Sequence, residues 1–451
     1  MALSAMRRKA RHPRVPLRPH TPWALGRPKQ PGLARLSHCV RVSCLCEGLN
    51  MLDVAIVGGG LCGLALAHSL QAARGVHWQL FEARERLGGR AYTAKAPNGT
   101  PVDLGATWFW PDHQPNITRL VADLGLRSLP QVDDGRVLHL SDPNQPPQAV
   151  ALTPSMQPAP DAQWPATPGA VHGGAMRIEG GVGALIDALA HPLPARQMSL
   201  GHRLIAVTDL GSHVVLSVQA GDQLQMVQAR RVVLALPPRV LQATVSFTPE
   251  LDAHLIDTLR DTPTWMATAA KAAHVFQRAF WQDAGLTGNA WVTHPQAMLA
   301  EVFDASTPDQ GAALAGFAAL SATQRPAFEK ARPLLMESQL VQLFGQQAAD
   351  PSLLVSQHWQ DWAQEGTTCS PQDLLDEQQG LSSHPPPGTS TLAQPHWQGR
   401  LLLGGSETAA HGGGYLEGAL GAAARLRKQV LSSMRPPSSA PTLQLAGEVA
   451  P

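Results

Sequence analysis

Gly58, Gly60 and Gly63 follow the spacing G-x-G-x-x-G, and an acid, Glu82, stands nineteen residues after the last of them. Residue types in that order suit recognition of a dinucleotide by the main chain. The first glycine permits a tight turn, the second lets the backbone approach a pyrophosphate, and the third lets a helix pack closely on a strand. Glu82 would accept hydrogen bonds from the adenosine ribose hydroxyls. The spacing alone does not separate NAD from FAD.

Such residues need a strand before them and a helix after them. Leu52 to Val57 (LDVAIV) is short, apolar and β-branched, as expected of a buried parallel strand. Leu61 to Ala73 reads as a helix and His77 to Phe81 as the next strand, which makes a βαβ unit of about thirty residues. The N-terminus of that helix offers free N–H groups and a positive dipole end to phosphates. A helix is predicted from Gly180 to Leu189, then strands around Arg203 to Val207, Val214 to Val218 and Arg231 to Leu236, the last stopped by Pro237 and Pro238. From about Pro249 to Gly380 amphipathic helical stretches mix with short strands. Pro143 to Pro168 and Pro385 to Pro387 read as surface loops, and no internal repeat is visible.

Arg84, Leu87, Gly88, Gly89 and Arg90, in EARERLGGRAYT, extend the unit beyond Glu82. This run resembles the second motif of the flavin amine oxidase superfamily, which implies FAD as the cofactor. In that family the paired glycines bring backbone close to the cofactor and the arginine lies near the phosphates and the flavin. Asp103 to Trp110 (DLGATWFW) is similar to the segment passing the flavin, where Gly105 and Ala106 let the backbone approach the ring, with Thr107 and Trp108 beside them. Met176 to Leu185 resembles the helix before the return to the FAD domain, and Arg203 to Val207 the strand whose backbone meets the adenine, which points to Leu204. Arg230 to Pro238 resembles the strand leading into the substrate domain. Leu401 to Leu426 (LLLGGSETAAHGGGYLEGALGAAARL) is similar to the C-terminal flavin motif, with Gly405, Ser406 and Glu407 delivered by a strand and a helix starting near Leu416. Its dipole would favour negative charge at the N1 and O2 edge of a reduced flavin.

The resemblance implies two residues for the reaction. Lys271, ten residues before Trp281, matches the spacing of a lysine that holds a water near the flavin, and the small or apolar residues of Ala267 to Ala273 suit a buried position. Tyr415 corresponds to one wall of an aromatic cage that steers and desolvates an amine, favouring its neutral form. Trp362, in WQDWAQEGTTCS, resembles a tryptophan packed near the flavin. Cys369 lies close by, but the Gly-Gly-Cys-Tyr sequence that carries a covalent flavin in the mitochondrial monoamine oxidases is absent, so FAD is expected to be non-covalent. No tyrosine follows Cys369, so the second cage wall is missing unless Trp108 or Trp110 replaces it.

The implied fold is α/β, a Rossmann-like FAD-binding domain with a parallel sheet and an interleaved α+β substrate domain. Residues 51–110, 172–245 and 386–451 are assigned to the first, and 111–171 with 246–385 to the second. A chain with 44% hydrophobic and 15% charged residues has ample material for both.

Residues 1–50 differ from the rest. They are rich in proline, carry ten Lys or Arg against Glu47 alone, and stop before Met51. A translation start at Met51, an organellar transit peptide and a basic tail with a partner all remain open. From residue 51 onward 25 basic residues face 33 acidic ones, which argues against a nucleic-acid partner. Cys62 and Cys369 alone stand in the body of the chain, which is no disulfide framework and suits the cytoplasm. Cys44 and Cys46 lack a partner pair at zinc-finger spacing, so no metal is expected. No run of about 18 apolar residues predicts a membrane span.

The expected activity is oxidation of an amine by FAD with oxygen as acceptor, releasing an imine or aldehyde and hydrogen peroxide. The missing cage wall keeps two alternatives open: a desaturase or dehydrogenase of a carbon skeleton with another acceptor, and a flavin-binding module without turnover. A homo-oligomer is compatible with either.

Overall fold

The computed structural model describes residues 51–73, 75–132, 136–150, 174–381 and 390–432. The basic stretch 1–50, the loop residues 151–168 and Pro385 to Pro387 lie outside the described residues.

The strand Leu52–Val57 is buried on both faces, with only Asp53 partly open. Val54 and Ile56 point into a core shared with the helices Leu61–Ala72, Val182–Ala190 and Leu416–Ser432. Ala55 and Val57 point the opposite way, against Val207, Val214, Leu216 and Leu255. An apolar residue at every second position on either face therefore has a partner layer. Burying Val54 and Ile56 completely stabilises the fold by roughly 1.5–3 kcal/mol each.

Leu52–Val57 pairs in parallel with Trp78–Phe81 on one side and with the C-terminal half of Gln223–Leu234 on the other. Met198–Ser199 extends the sheet beyond Trp78–Phe81. Gln223–Leu234 is twelve residues long and bends two systems together. Its first half pairs antiparallel with Val214–Ala220, which pairs in turn with His202–Asp209. Its last residues, Val232 to Leu234, pair in parallel with Leu401–Leu403. The strand read from the sequence as Arg231 to Leu236 is thus the end of a longer one. It stops at Leu234, and Pro238 opens the next helix, Pro238–Thr244, where a missing N–H costs nothing.

A second, seven-stranded sheet runs in the order Leu354–Asp361, Ala270–Phe276, Ala312–Ala318, Leu299–Asp304, Leu286–Val292, Arg136–Leu140, Gln148–Val150. Only the Leu286–Val292 and Arg136–Leu140 pair is parallel. The sequence reading of helical stretches with short strands understated this sheet. Ala270–Phe276 (AKAAHVF) and Ala312–Ala318 (AALAGFA) are rich in alanine, a strong helix former, yet all seven residues of the former are buried between two partner strands. Packing overrides propensity there.

Candidate active site

The turn after Leu52–Val57 is set by close backbone approaches. Gly58 has φ +103°, and a Cβ on it would fall 2.4 Å from the Ala235 carbonyl oxygen. A Cβ on Gly63 would lie 2.0 Å from the carbonyl oxygen of Gly58, so the helix starting at Leu61 can sit against the turn only with glycine there. Gly60 differs, because a Cβ on it would meet nothing nearer than 4.0 Å. The helix has Gly60 as its N-cap, with no side-chain cap and no acid in its first turn. Its first N–H groups are left for a ligand, and the space beside Gly60 is where that ligand would lie.

Glu82 ends the Trp78–Phe81 strand and is 6% exposed. Gly59 N–H donates to its Oε2 (2.6 Å) and Arg84 N–H to its Oε1 (2.9 Å). Each oxygen keeps a second lone pair for a ribose hydroxyl. Gly88 N–H donates to the Gly59 carbonyl (2.9 Å), which brings the paired glycines Gly88 and Gly89 against the turn. Arg84 forms an ion pair with Glu365 and donates to Thr368 Oγ1 (2.7 Å), tying this loop to the segment after Leu354–Asp361. Arg90 Nη2 lies 2.6 Å from Glu407 Oε1 and donates to Ser406 Oγ (3.2 Å), while Nη1 donates to the Trp265 carbonyl (3.1 Å). Motifs more than 300 residues apart thus meet at one guanidinium.

Ala106 N–H donates to the Arg90 carbonyl (3.1 Å), which places the Asp103 to Trp110 segment alongside. Trp362 Nε1 donates to the Leu104 carbonyl (3.0 Å) and is nearly buried. Lys271, 2% exposed, reaches across from the second sheet: its Nζ donates to the Gly105 carbonyl (3.0 Å) and to Thr107 Oγ1. Rings of Trp108, Phe303 and Phe317 surround the ammonium at 5.1–5.4 Å from their centroids. Burial lowers the Lys271 pKa to about 8; Asp103 and Glu301 oppose that shift, and Arg177 adds to it.

These parts enclose one cavity of about 640 Å³, within the range of ligand sites. It is lined at one extreme by Gly58, Gly60, Glu82 and Leu204, and elsewhere by Arg84, Gly88, Gly89 and Arg90. Gly105, Ala106, Thr107, Trp108, Trp362, Gly405, Glu407 and Leu416 border it, as do Lys271 and Tyr415. Of the candidate catalytic and cofactor-binding residues Gly63 alone is absent from the lining, its place being behind Gly58, and neither Leu87 nor Cys369 borders the cavity.

At the aromatic end the structure sets two tryptophans beside Tyr415, one of them Trp110, an alternative left open by the sequence. Tyr415 lies 6.3 Å from Trp110, edge to face, and 6.2 Å from Trp265, tilted by 38°. Trp108 also borders the cavity, packed on Phe303 at 4.6 Å with its Nε1 donating to Gln131 Oε1 (2.8 Å). Trp265 carried no motif in the sequence. A signal was present in Gly414, with φ +83°, whose Cβ would fall 2.6 Å from the Trp265 Cβ. The loop before Tyr415 is glycine-rich so that this tryptophan can press against it. The helix Leu416–Ser432 begins directly after, and Glu417 in its first turn accepts from Asn116 N–H (3.2 Å), Asn116 Nδ2 (2.6 Å) and Ile117 N–H (3.0 Å). That contact fixes the helix Pro115–Asp123 and the adjoining segment that carries Trp110.

Comparison with known proteins agrees with this geometry. Residues 148–426 match the family described as flavin containing amine oxidoreductase, and residues 56–124 match an NAD(P)-binding Rossmann-like domain. The chain belongs to the flavin-containing amine oxidoreductases. Its cofactor is FAD and it is an FAD-dependent oxidoreductase. Among curated relatives of this amine oxidoreductase is amine oxidase [flavin-containing] A of Bos taurus, 24% identical, covering 85% of this chain and 86% of that protein. Amine oxidase [flavin-containing] B of Sus scrofa is 25% identical with the same coverage. Among solved structures, cyclohexylamine oxidase from Brevibacterium oxydans superposes with a TM-score of 0.67 at 20% identity, over 85% of this chain and 99% of that one. Wild-type putrescine oxidase bound to putrescine gives 0.65 at 20% identity, over 85% and 100%. The structural likeness confirms the α/β fold with a Rossmann-like domain in a two-domain architecture.

The residues present fit FAD. The room beside Gly60 and the uncapped helix at Leu61 suit a pyrophosphate, the Glu82 carboxylate suits a ribose, and the N-terminus of Leu416–Ser432 opens on the cavity. Among the described residues no cluster of His, Cys, Asp and Glu could hold a metal ion, and no helix is long and apolar enough to cross a membrane.

Proposed function

We propose that this amine oxidoreductase oxidises an amine at the carbon bearing nitrogen, with oxygen as the final acceptor, yielding an imine that hydrolyses to an aldehyde or ketone, and hydrogen peroxide. The observation that carries the reading is the grouping of Tyr415 with Trp110 and Trp265 in the lining of the same cavity that Lys271 borders. FAD, when bound, supplies the acceptor for the hydrogen and electron pair leaving the amine. The three rings exclude water from the amine, which favours its neutral, oxidisable form. Lys271 spends two of its N–H groups on the Gly105 carbonyl and Thr107 Oγ1, and the third serves the cavity, where it would hold a water. With a pKa near 8 the side chain keeps its proton at neutral pH and loses it under mild alkali.

An amine without a carboxylate is the favoured substrate class. Arg84 and Arg90 are engaged by Glu365 and Glu407, and Arg203 lies beside Leu204, where the adenine is expected. Gly58, Gly60, Gly88, Gly89, Arg84, Arg90 and Glu82 are proposed as the pyrophosphate and ribose contacts, with Gly63 supporting the turn. Leu204 is proposed at the adenine, and Gly105, Ala106, Thr107, Trp108, Trp362, Gly405, Glu407 and Leu416 around the flavin. Attachment is proposed to be non-covalent: Cys369 is not among the lining residues, and burial pushes its thiol up to about 12. A cytoplasmic setting is proposed with it, resting on the free thiols of Cys62 and Cys369.

The test is anaerobic mixing of the flavin-loaded protein with primary amines, diamines and amino acids. Bleaching of the yellow absorbance by an amine, followed by peroxide when air is admitted, is the expected result; a flavin reduced by no amine sinks the proposal. Lys271→Met should slow reoxidation by oxygen at least about tenfold, roughly 1.4 kcal/mol, while flavin stays bound.

A further inference from the structure

Thr107 also borders a second, small chamber of about 10 Å³, lined with it by Asp103, Arg177, Gly181 and Phe303. That is the size of a single water molecule. Its walls are polar where a water needs partners. Arg177 is 6% exposed; its Nη2 donates to the Ser306 carbonyl (2.7 Å), while its buried Nε has no hydrogen-bond partner. Asp103 is 8% exposed, and its two side-chain bonds, from Thr93 Oγ1 (2.5 Å) and Val182 N–H (2.9 Å), both use Oδ1. Thr107 Oγ1 accepts from Lys271 Nζ and donates weakly to the Gly105 carbonyl (3.3 Å).

We propose that one water fills this chamber, accepting from Arg177 Nε and donating to the Asp103 carboxylate and to Thr107 Oγ1, so that Asp103 is a positioning residue for the Lys271 ammonium. Three hydrogen bonds are the usual complement of a buried water, and each of the three groups named has capacity for one more. The bridge aligns the Thr107 lone pair on Nζ and carries the negative charge of Asp103 to the hydroxyl that Lys271 contacts. Asp103 therefore acts on the ammonium without touching the reacting centre.

The charged groups facing Lys271 are Asp103 from the strand Pro101–Asp103, Glu301 from Leu299–Asp304 and Arg177 from Met176–Ile178. The strands flanking it present Phe317 and Gln360, which carry no charge. Burial raises the Asp103 carboxyl, and Thr93, Lys271, the Val182 N–H and Arg177 pull it back down.

Two measurements decide the matter without any turnover, so their failure would leave amine oxidation standing. A high-resolution crystal structure should show one water within hydrogen-bond distance of Arg177 Nε and Asp103; an empty chamber overturns the proposal. Lysine labelled with 13C and 15N, with the Lys271 signal assigned by Lys271→Met, gives the titration midpoint by NMR in the flavin-loaded and flavin-free protein. Asp103→Asn and Thr107→Val should each lower that midpoint by about one pH unit, a tenfold loss of proton affinity. The double variant should fall no further than the larger single change, because both break one bridge. Additive shifts, or an unchanged midpoint in Thr107→Val, overturn it. Thr107→Val also removes the direct bond to Nζ, so the coupling between the two variants decides the matter, and where Asp103→Asn does not fold the crystallographic water decides it.

Discussion

Where Gly58, Gly60, Gly88 and Gly89 line the cavity the protein presents main chain, and where Tyr415, Trp110 and Trp265 line it the protein presents side chains. Gly58, Gly60, Gly88 and Gly89 contribute little but backbone and the space beside it. Tyr415, Trp110, Trp265 and Lys271 contribute three rings and an ammonium, carried by separate loops and a strand of the second sheet. At the first end a Cβ on Gly58 or Gly88 would collide with backbone, and one on Gly60 would enter the open space beside it. At the second end single rings are expected to be replaceable with the fold intact.

Gly60→Val is the strongest way to test this division. Its new side chain meets no protein atom closer than 4.0 Å at Cβ, so the unliganded fold should melt as before. FAD affinity should nevertheless fall at least a thousandfold, about 4 kcal/mol, as read by fluorescence titration of the released flavin. Retained affinity would place the pyrophosphate elsewhere.

Lys271 offers the next largest effect. Its folded pKa, about 8, lies below the unfolded value of 10.5, so between those pH values the unfolded chain binds more protons than the folded one. The penalty for burying the charge is therefore full below pH 8 and is relieved as pH rises toward 10.5, by about 3 kcal/mol. Relative to Lys271→Met, the wild-type protein should gain stability over that window in denaturant melts of the flavin-free form. Parallel pH curves for the two proteins would show that the ammonium is not buried as described.

Trp265→Ala should reduce kcat/KM for an amine about tenfold, roughly 1.4 kcal/mol, and leave FAD affinity nearly untouched, since Arg90 bonds only the backbone carbonyl there. Equal losses in amine and flavin would erase the contrast between the two ends. Glu417→Gln, which weakens the anchor on Asn116 and Ile117, should lower stability by about 1 kcal/mol in the same melts and raise KM slightly through Trp110.

The same contrast explains what the amino-acid sequence made legible. A glycine turn is local: Gly58, Gly60, Gly63 and Glu82 lie within one βαβ unit, and the physics of the turn requires them at set spacing. Lys271 and Tyr415 could be placed only through resemblance, and the structure puts both in the cavity lining. Trp265 could not be placed at all, because its partners Tyr415 and Gly414 are about 150 residues away and nothing near it in the chain announces them. The second sheet escaped for a related reason. Its strands around Lys271 and Phe317 owe their conformation to cross-strand neighbours, not to the alanines that compose them.

The twelve-residue strand Gln223–Leu234 carries a consequence for how the molecule is made. Val232 to Leu234 hold Leu52–Val57 on one edge and Leu401–Leu403 on the other. A ribosome delivers Leu401–Leu403 some 170 residues after the edge of Val232 to Leu234 that receives it. At about 5–20 residues per second, that leaves an open sheet edge waiting for tens of seconds. Ser406, Glu407 and the helix at Leu416 arrive later still. The nascent chain thus owns its glycine turn long before it owns the whole cavity lining, and capture of FAD is expected to wait until the helix at Leu416 has been made.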